Sequence, residues 1–355
     1  MAHNIAKING RDAMFCVGDR ESAWHRLGQR TPNAVTWQEA MQLAELNWTV
    51  EKQQLFDQAG NPLPTYGIFR TDNNSFLGPV GERFTPMQNV NLFGFCDDLL
   101  EVANAGSHYE SAGALGNGEK IWTLARIPSL DFAVGGDDKH ETYLMACTGH
   151  DGSMRTFLKL TTVRVVCQNT MCAALSGEGA SIAVKHTKNG QVKLESAIKA
   201  FKGIGNDAKV LQTKLEKMAD FKLTRQSAES ILNDIFPVAE NKESSTRRDN
   251  ILADVLNVYA MNDRNTYASI KGTGYNLLNA VIEYTDYERS VRKGGDAAAD
   301  ARKRAESALF GSGDTLKQKA MDVIYKLADG SEKIVSVMPG TPTSGSLLDQ
   351  IISQQ

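Results

Sequence analysis

Up to about residue 190 the apolar positions come in short runs broken by turn chemistry, and beyond about residue 191 they recur with helical spacing. Thr36-Trp-Gln-Glu39 is a capping box opening a short helix in which Ala40, Leu43 and Ala44 share one face. Trp48 to Phe56, Thr65 to Arg70 and Phe76 to Val80 read as strands, separated by turns at 58–62 and 71–75. Asn89 is placed to cap a helix from Val90 to Val102 whose stripe is Leu92, Phe95, Cys96, Leu99 and Val102. A hairpin follows, from Tyr109 to Leu115, through the Gly116-Asn-Gly118 turn, to 120–127, because Asn-Gly tolerates positive φ at both positions. A second hairpin runs from Thr142 to Thr148 and from Arg155 to Leu160 around His150-Asp-Gly152, and Thr162 to Val166 continues the sheet.

Short connections favour antiparallel pairing, so residues 45–170 are expected to form one predominantly antiparallel sheet. The helix at 90–103 should lie against it, burying Leu92, Phe95 and Leu99. Helical periodicity covers 191–220, 225–236, 247–262, 273–292 and 297–328, and the Gly- and Ser-rich end reads as a frayed tail. The fold class is therefore α+β: an antiparallel sheet domain with packed helices, followed by a mostly helical C-terminal region. The units expected are 1–190, 191–338 and a flexible 339–355.

Of 355 residues, 41% are hydrophobic and 23% charged, enough for a sizeable core. The formal charge of −3 excludes a protein that coats duplex DNA through overall basicity, though not a local basic groove. Such a groove has a candidate: residues 151–200 hold 7 basic side chains against 3 acidic ones. No apolar run is long enough for a bilayer helix, no signal peptide leads the chain, and five cysteines suit a reducing cytoplasm. A cytoplasmic protein with no membrane contact is expected.

The chemistry concentrates in Met154-Arg-Thr-Phe-Leu-Lys-Leu-Thr-Thr-Val-Arg164. Residues two apart on a strand share a face, so Arg155, Phe157 and Lys159 present charge, aromatic, charge on one side. Cations that track phosphates beside a ring that stacks on a base suit a single nucleic-acid strand. Arg164, Lys185 and Lys188 extend the positive field. Cys147-Thr-Gly-His150 and Cys167-x₄-Cys172 could in principle converge on zinc. The second spacing is not that of a zinc knuckle and Cys172 has apolar neighbours, so buried thiols and a turn histidine are the reading preferred. His25 is read as packing on Trp24. No nucleophile elbow, His-Glu-x-x-His, Cys-x-x-Cys or Walker spacing occurs, and Asp97-Asp98 and Asp137-Asp138 lack the third acid and lysine of a metal-dependent nuclease. No active site, metal or cofactor is expected.

Three strings, Ala23-Trp-His-Arg-Leu-Gly28, Gly81-Glu-Arg-Phe-Thr-Pro-Met-Gln-Asn89 and Val163-Arg-Val-Val-Cys-Gln-Asn-Thr170, resemble a phage- and plasmid-related family whose shared region is a domain of unknown function. The resemblance spans roughly residues 10–290 and implies a mobile-element setting, without a catalytic residue to carry over. In architecture the sheet with one packed helix and a helical tail is similar to phage single-strand annealing proteins, an analogy of fold alone. The expected function is non-enzymatic binding of single-stranded DNA in recombination or replication. It would act as a homo-oligomer through Arg155, Phe157, Lys159, Arg164, Lys185 and Lys188. The alternative is a phage interaction protein that binds or sequesters a host protein.

Overall fold

The computed structural model describes residues 6–8, 11–18, 29–33, 35–103, 106–164, 170–172, 181–188, 204–238, 246–261, 267–289, 307 and 311–333. Within them the chain is mixed α and β, with antiparallel sheets and helices concentrated toward the C-terminus. The strands are β1 (Lys7–Ile8), β2 (Arg11–Asp12), β3 (Met14–Val17), β4 (Gln29–Thr31), β5 (Val50–Phe56), β6 (Pro62–Arg70) and β7 (Phe76–Val80). They continue with β8 (His108–Leu115), β9 (Lys120–Arg126), β10 (Phe132–Val134), β11 (Asp138–Gly149), β12 (Thr156–Arg164), β13 (Thr170–Cys172) and β14 (Ser181–Val184). The helices are α1 (Trp37–Leu43), α2 (Asn89–Ala103), α3 (Ile204–Asp220), α4 (Arg225–Ile235), α5 (Thr246–Met261), α6 (Gly274–Glu283) and α7 (Ser312–Ala328). A π-helical turn, Tyr284–Glu288, extends α6. No helix among the described residues is long and apolar enough to cross a membrane.

The main sheet runs β13-β12-β11-β9-β8-β3-β4, with β10 paired to β11 and β14 to β12. Its pairs are antiparallel except β3 with β4, which run parallel. β11 is central and covered on both faces, which explains the unbroken apolar run Tyr143-Leu-Met-Ala-Cys147. One face carries Leu144, Ala146, Leu158, Leu160, Ile121 and Ala112, packed under α1 and α2. Leu92, Phe95 and Leu99 of α2 are buried there, as their spacing predicts. The opposite face carries Trp122, Leu124, Met145, Cys147 and Phe157 as a separate cluster. Both halves of the capping box at Thr36 and Glu39 form, and Ala40 and Ala44 are buried.

The single sheet expected over 45–170 is instead two sheets. β5, β6 and β7 make their own three-stranded antiparallel sheet, whose inner face (Val50, Ile68, Leu77, Val80) joins the core beneath the main one. Short connections fix antiparallel pairing between neighbours, but they do not say where one sheet ends and another begins. The first hairpin turn also differs, since positive φ falls on Gly116 and Gly118 and the Asn117 amide groups bond to Glu119.

α3 to α7 form a second core around Leu211, Leu215, Ile231, Leu232, Leu278 and Ile324. It is tied to the sheet by a buried polar link. The Tyr275 hydroxyl, from α6, donates to Asp138 Oδ2 at 2.7 Å and lies 2.5 Å from His140 Nε2, while His140 stacks on Phe132 at 4.9 Å. Of the expected helical stretches, 191–203, 290–292 and 297–306 lie outside the described residues, as does the tail from 339.

Candidate nucleic-acid interface

The six residues singled out in the sequence fall on the β12–β14 side of the main sheet. β12 pairs β14 with Thr156 opposite Val184 and Phe157 opposite Ala183. Arg155 and Lys185, both exposed, each lie one residue beyond that last rung, Arg155 before β12 and Lys185 after β14. Across β11, whose pairing with β12 ends at Cys147 opposite Phe157, Gly149 is paired with Lys120 of β9. Lys185, Arg155 and the half-buried Lys120 therefore lie at one end of the sheet. The row behind it holds Phe157, Cys147 and Trp122. Lys120 joins this end of the sheet although periodicity along β12 alone could not show that.

Lys188, also exposed, follows a segment anchored from the side. His186 stacks on Phe84 at 4.7 Å and its carbonyl accepts from the Thr85 N–H at 3.0 Å. Phe84 belongs to the string Gly81–Asn89, which proves to be a strut between the two sheets. Gln88 exchanges two hydrogen bonds with the Val50 backbone. Asn89, expected as a helix cap, begins α2 and turns its amide to the carbonyls of Leu46 and Trp48. Its Oδ1 lies 3.0 Å from His150 Nε2. Those carbonyls are buried and need a donor, a stronger demand than an exposed helix end makes.

Next to His150, Arg70 is sealed in, only 2% exposed, over the Trp48 ring at 4.1 Å. It pairs with both oxygens of Asp72 and donates to the Asn117 carbonyl at 2.8 Å. Burial, then His186 and Arg70, press the His150 pKa down to about 3. The pKa of His186 is lowered as well, by burial first. This corner is a neutral-histidine joint holding the hairpin tip, and therefore Arg155, against the small sheet.

Two of the six residues are engaged rather than open. Phe157 is half-buried and packs on the Trp122 cluster. Lys159 lies 5.4 Å over the Phe157 ring and 3.3 Å from Asp314 of α7. For Arg164 the structure gives the backbone, paired opposite His140, and its side chain lies outside the described residues.

At the far end of the same face the charge reverses. Arg126 pairs with Asp131 and, at 3.5 Å, with Glu141, to which the Tyr143 hydroxyl donates. Burial raises the pKa of Glu110 beside them. Cations thus gather at the Lys185–Arg155–Lys120 end of the face and carboxylates at the other.

The zinc set does not assemble around its first pair. Cys147 faces the Trp122 cluster, whereas His150 turns to Asn89 and α2. Cys167 and the Cys172 side chain lie outside the described residues, as does His25. Among the described residues no group of three or more His, Cys, Asp or Glu is placed to hold a metal ion.

Residues 76–309 match the family model described as Domain of unknown function (DUF932), and the chain belongs to that family. The matched stretch begins at β7 and contains Lys120, Arg155 and Lys185, while α7 lies beyond it. No curated protein and no solved structure matches the chain.

Proposed function

We propose that this DUF932 protein binds single-stranded DNA, without catalysing a reaction, at the sheet end that carries Lys185, Arg155 and Lys120, with Lys188 at its edge. One observation carries the reading: exposed Arg155 and Lys185, at the adjoining ends of β12 and β14, gather with Lys120 of β9 at one end of a sheet, beside the row Phe157, Cys147 and Trp122. The charge reversal at the other end supports it, because a strip bounded by acids guides a flexible polyanion along one edge. Backbone phosphates would pair with the cations and release counterions, while Phe157 offers its accessible edge to a base. A strip of so few cations gives modest affinity per chain, so copies are proposed to line up along the strand. The mobile-element setting, in recombination or replication and extending to strand annealing, is what the sequence resemblance implies.

The test is anisotropy of a labelled oligo(dT) titrated from about 50 to 300 mM salt. Changing Arg155, Lys185 and Lys188 together to Ala should weaken binding by about 2–4 kcal/mol at low salt, at roughly one kcal/mol per phosphate contact. The slope of log K against log salt should flatten by about 0.7 per contact removed, about 2 in all. Absence of measurable affinity at low salt, in the wild-type chain and in every variant described below, refutes the reading and leaves a protein-binding factor in the lead.

A further inference from the structure

Lys159 sits two residues beyond Phe157 on the same face of β12, yet α7 holds it. Its Nζ is 3.3 Å from Asp314 Oδ2, with the two side chains 12% and 14% exposed. The same oxygen accepts from Gln318 Nε2 at 2.8 Å, one helical turn on. Asp314 Oδ1 is buried with no hydrogen-bond partner. A carboxylate is favoured in the first turn of a helix, but burying one oxygen unsatisfied works against the contact. α7 packs on α3, α4 and α6 through Ala320, Met321, Ile324 and Leu327, and its N-terminal turn is what reaches Lys159. The arrangement is that of a negative oxygen laid against a cation of the strand-binding face by an element belonging to another core.

We propose that Asp314 is an internal counter-ion, occupying against Lys159 the place a backbone phosphate takes, so that α7 restrains DNA binding and yields when a strand arrives. The inference rests on the single-strand reading above. A carboxylate and a phosphodiester are both anionic oxygen acceptors for one ammonium, and they compete for it. The coupling is reciprocal: whatever loosens Asp314 strengthens DNA binding, and DNA loosens the first turn of α7 by the same factor.

Asp314→Asn keeps the shape and removes the charge, and Asp314→Ala serves as a second variant should the first disturb α7. In the full chain, oligo(dT) affinity at low salt should rise about 3- to 10-fold in either. The salt slope should steepen by about 0.7, as one more phosphate contact forms. Adding Lys159→Ala to Asp314→Asn should abolish the gain, and DNA should speed hydrogen exchange at residues 313–318 of the wild-type chain. Affinity gained by Asp314→Asn also supports the proposal if the wild type binds too weakly to measure. If the wild type binds and loses affinity with the Arg155, Lys185 and Lys188 changes, but Asp314→Asn and Asp314→Ala bind no better, the counter-ion role is wrong and the DNA reading stands. If wild type and both Asp314 variants all fail to bind, both readings fall.

Discussion

His150 makes the hairpin joint sensitive to acid, and the sign and size follow from its surroundings. The Asn89 amide nitrogen is committed to two carbonyls, so its oxygen must accept, and His150 therefore carries its proton on Nε2. Nδ1 is left buried without a partner, with Arg70 and His186 as its charged and titratable neighbours. Protonating it would strip a charge of water and set it near His186 and Arg70; burial first, then these neighbours, lower the pKa from 6.5 to about 3. The unfolded chain takes up that proton near pH 6.5 and the folded chain does not. The contribution of His150 to stability is therefore complete above pH 6.5 and declines as pH falls toward 3. At about 1.36 kcal/mol per pH unit the loss is about 2 kcal/mol at pH 5 and about 5 kcal/mol over the whole interval. Urea unfolding of wild type and His150→Gln from pH 8 to pH 4.5 isolates the effect, since Gln can still donate to Asn89 and does not titrate. The difference between the two stabilities should shrink by about 2 kcal/mol between pH 8 and pH 5. Parallel curves for the two proteins would show that His150 titrates normally and that the joint is open to water.

Tyr275→Phe keeps the ring and deletes the hydroxyl that Asp138 and His140 share, so unfolding free energy should drop by about 2–3 kcal/mol. A change within 0.5 kcal/mol in denaturant titration would mean the link between the two cores is water-filled. Gly113→Ala puts a methyl 2.8 Å from the Ala13 carbonyl oxygen and 3.0 Å from the Trp122 ring, a close approach that only glycine permits. It should cost about 1–3 kcal/mol by overpacking, and an unchanged melting temperature would refute the tight packing of β3 on β8.

What the sequence discloses and what it hides divide along the range of the interactions. The α1 capping box, the α2 stripe from Leu92 to Leu99 and the pairing of the second hairpin are written within about twenty residues each, and they stand as expected. The β12 alternation was equally local and gave the charge, ring and charge order. Lys120 could not be added to it, because its place depends on two further strand registers. Lys159 looked available because its partner, Asp314, lies 155 residues away on an element of the helical core. Asn89 looked like a cap because that residue type satisfies helix ends, and nothing nearby tells that Leu46 and Trp48 compete for its amide. The acidic cluster of Glu110, Glu141 and Asp131 was missed for the same reason, being scattered over three elements that only the folded sheet brings together.

The seat of β3 in the middle of the order β9-β8-β3-β4 also governs how the chain is made. Met14 and Phe15 end wholly buried, yet their antiparallel neighbour is β8, whose Ser111 hydroxyl bonds the Phe15 carbonyl across 96 residues. At roughly 5–20 residues per second, translation keeps that apolar strand waiting for about 5–20 s before its antiparallel partner exists. During that interval β3 has β4 as a parallel neighbour, but the edge that β8 will cover stays open as a template for other chains. Synthesis slowed between residues 17 and 108 prolongs this exposure and should lower the yield of folded protein at unchanged final stability.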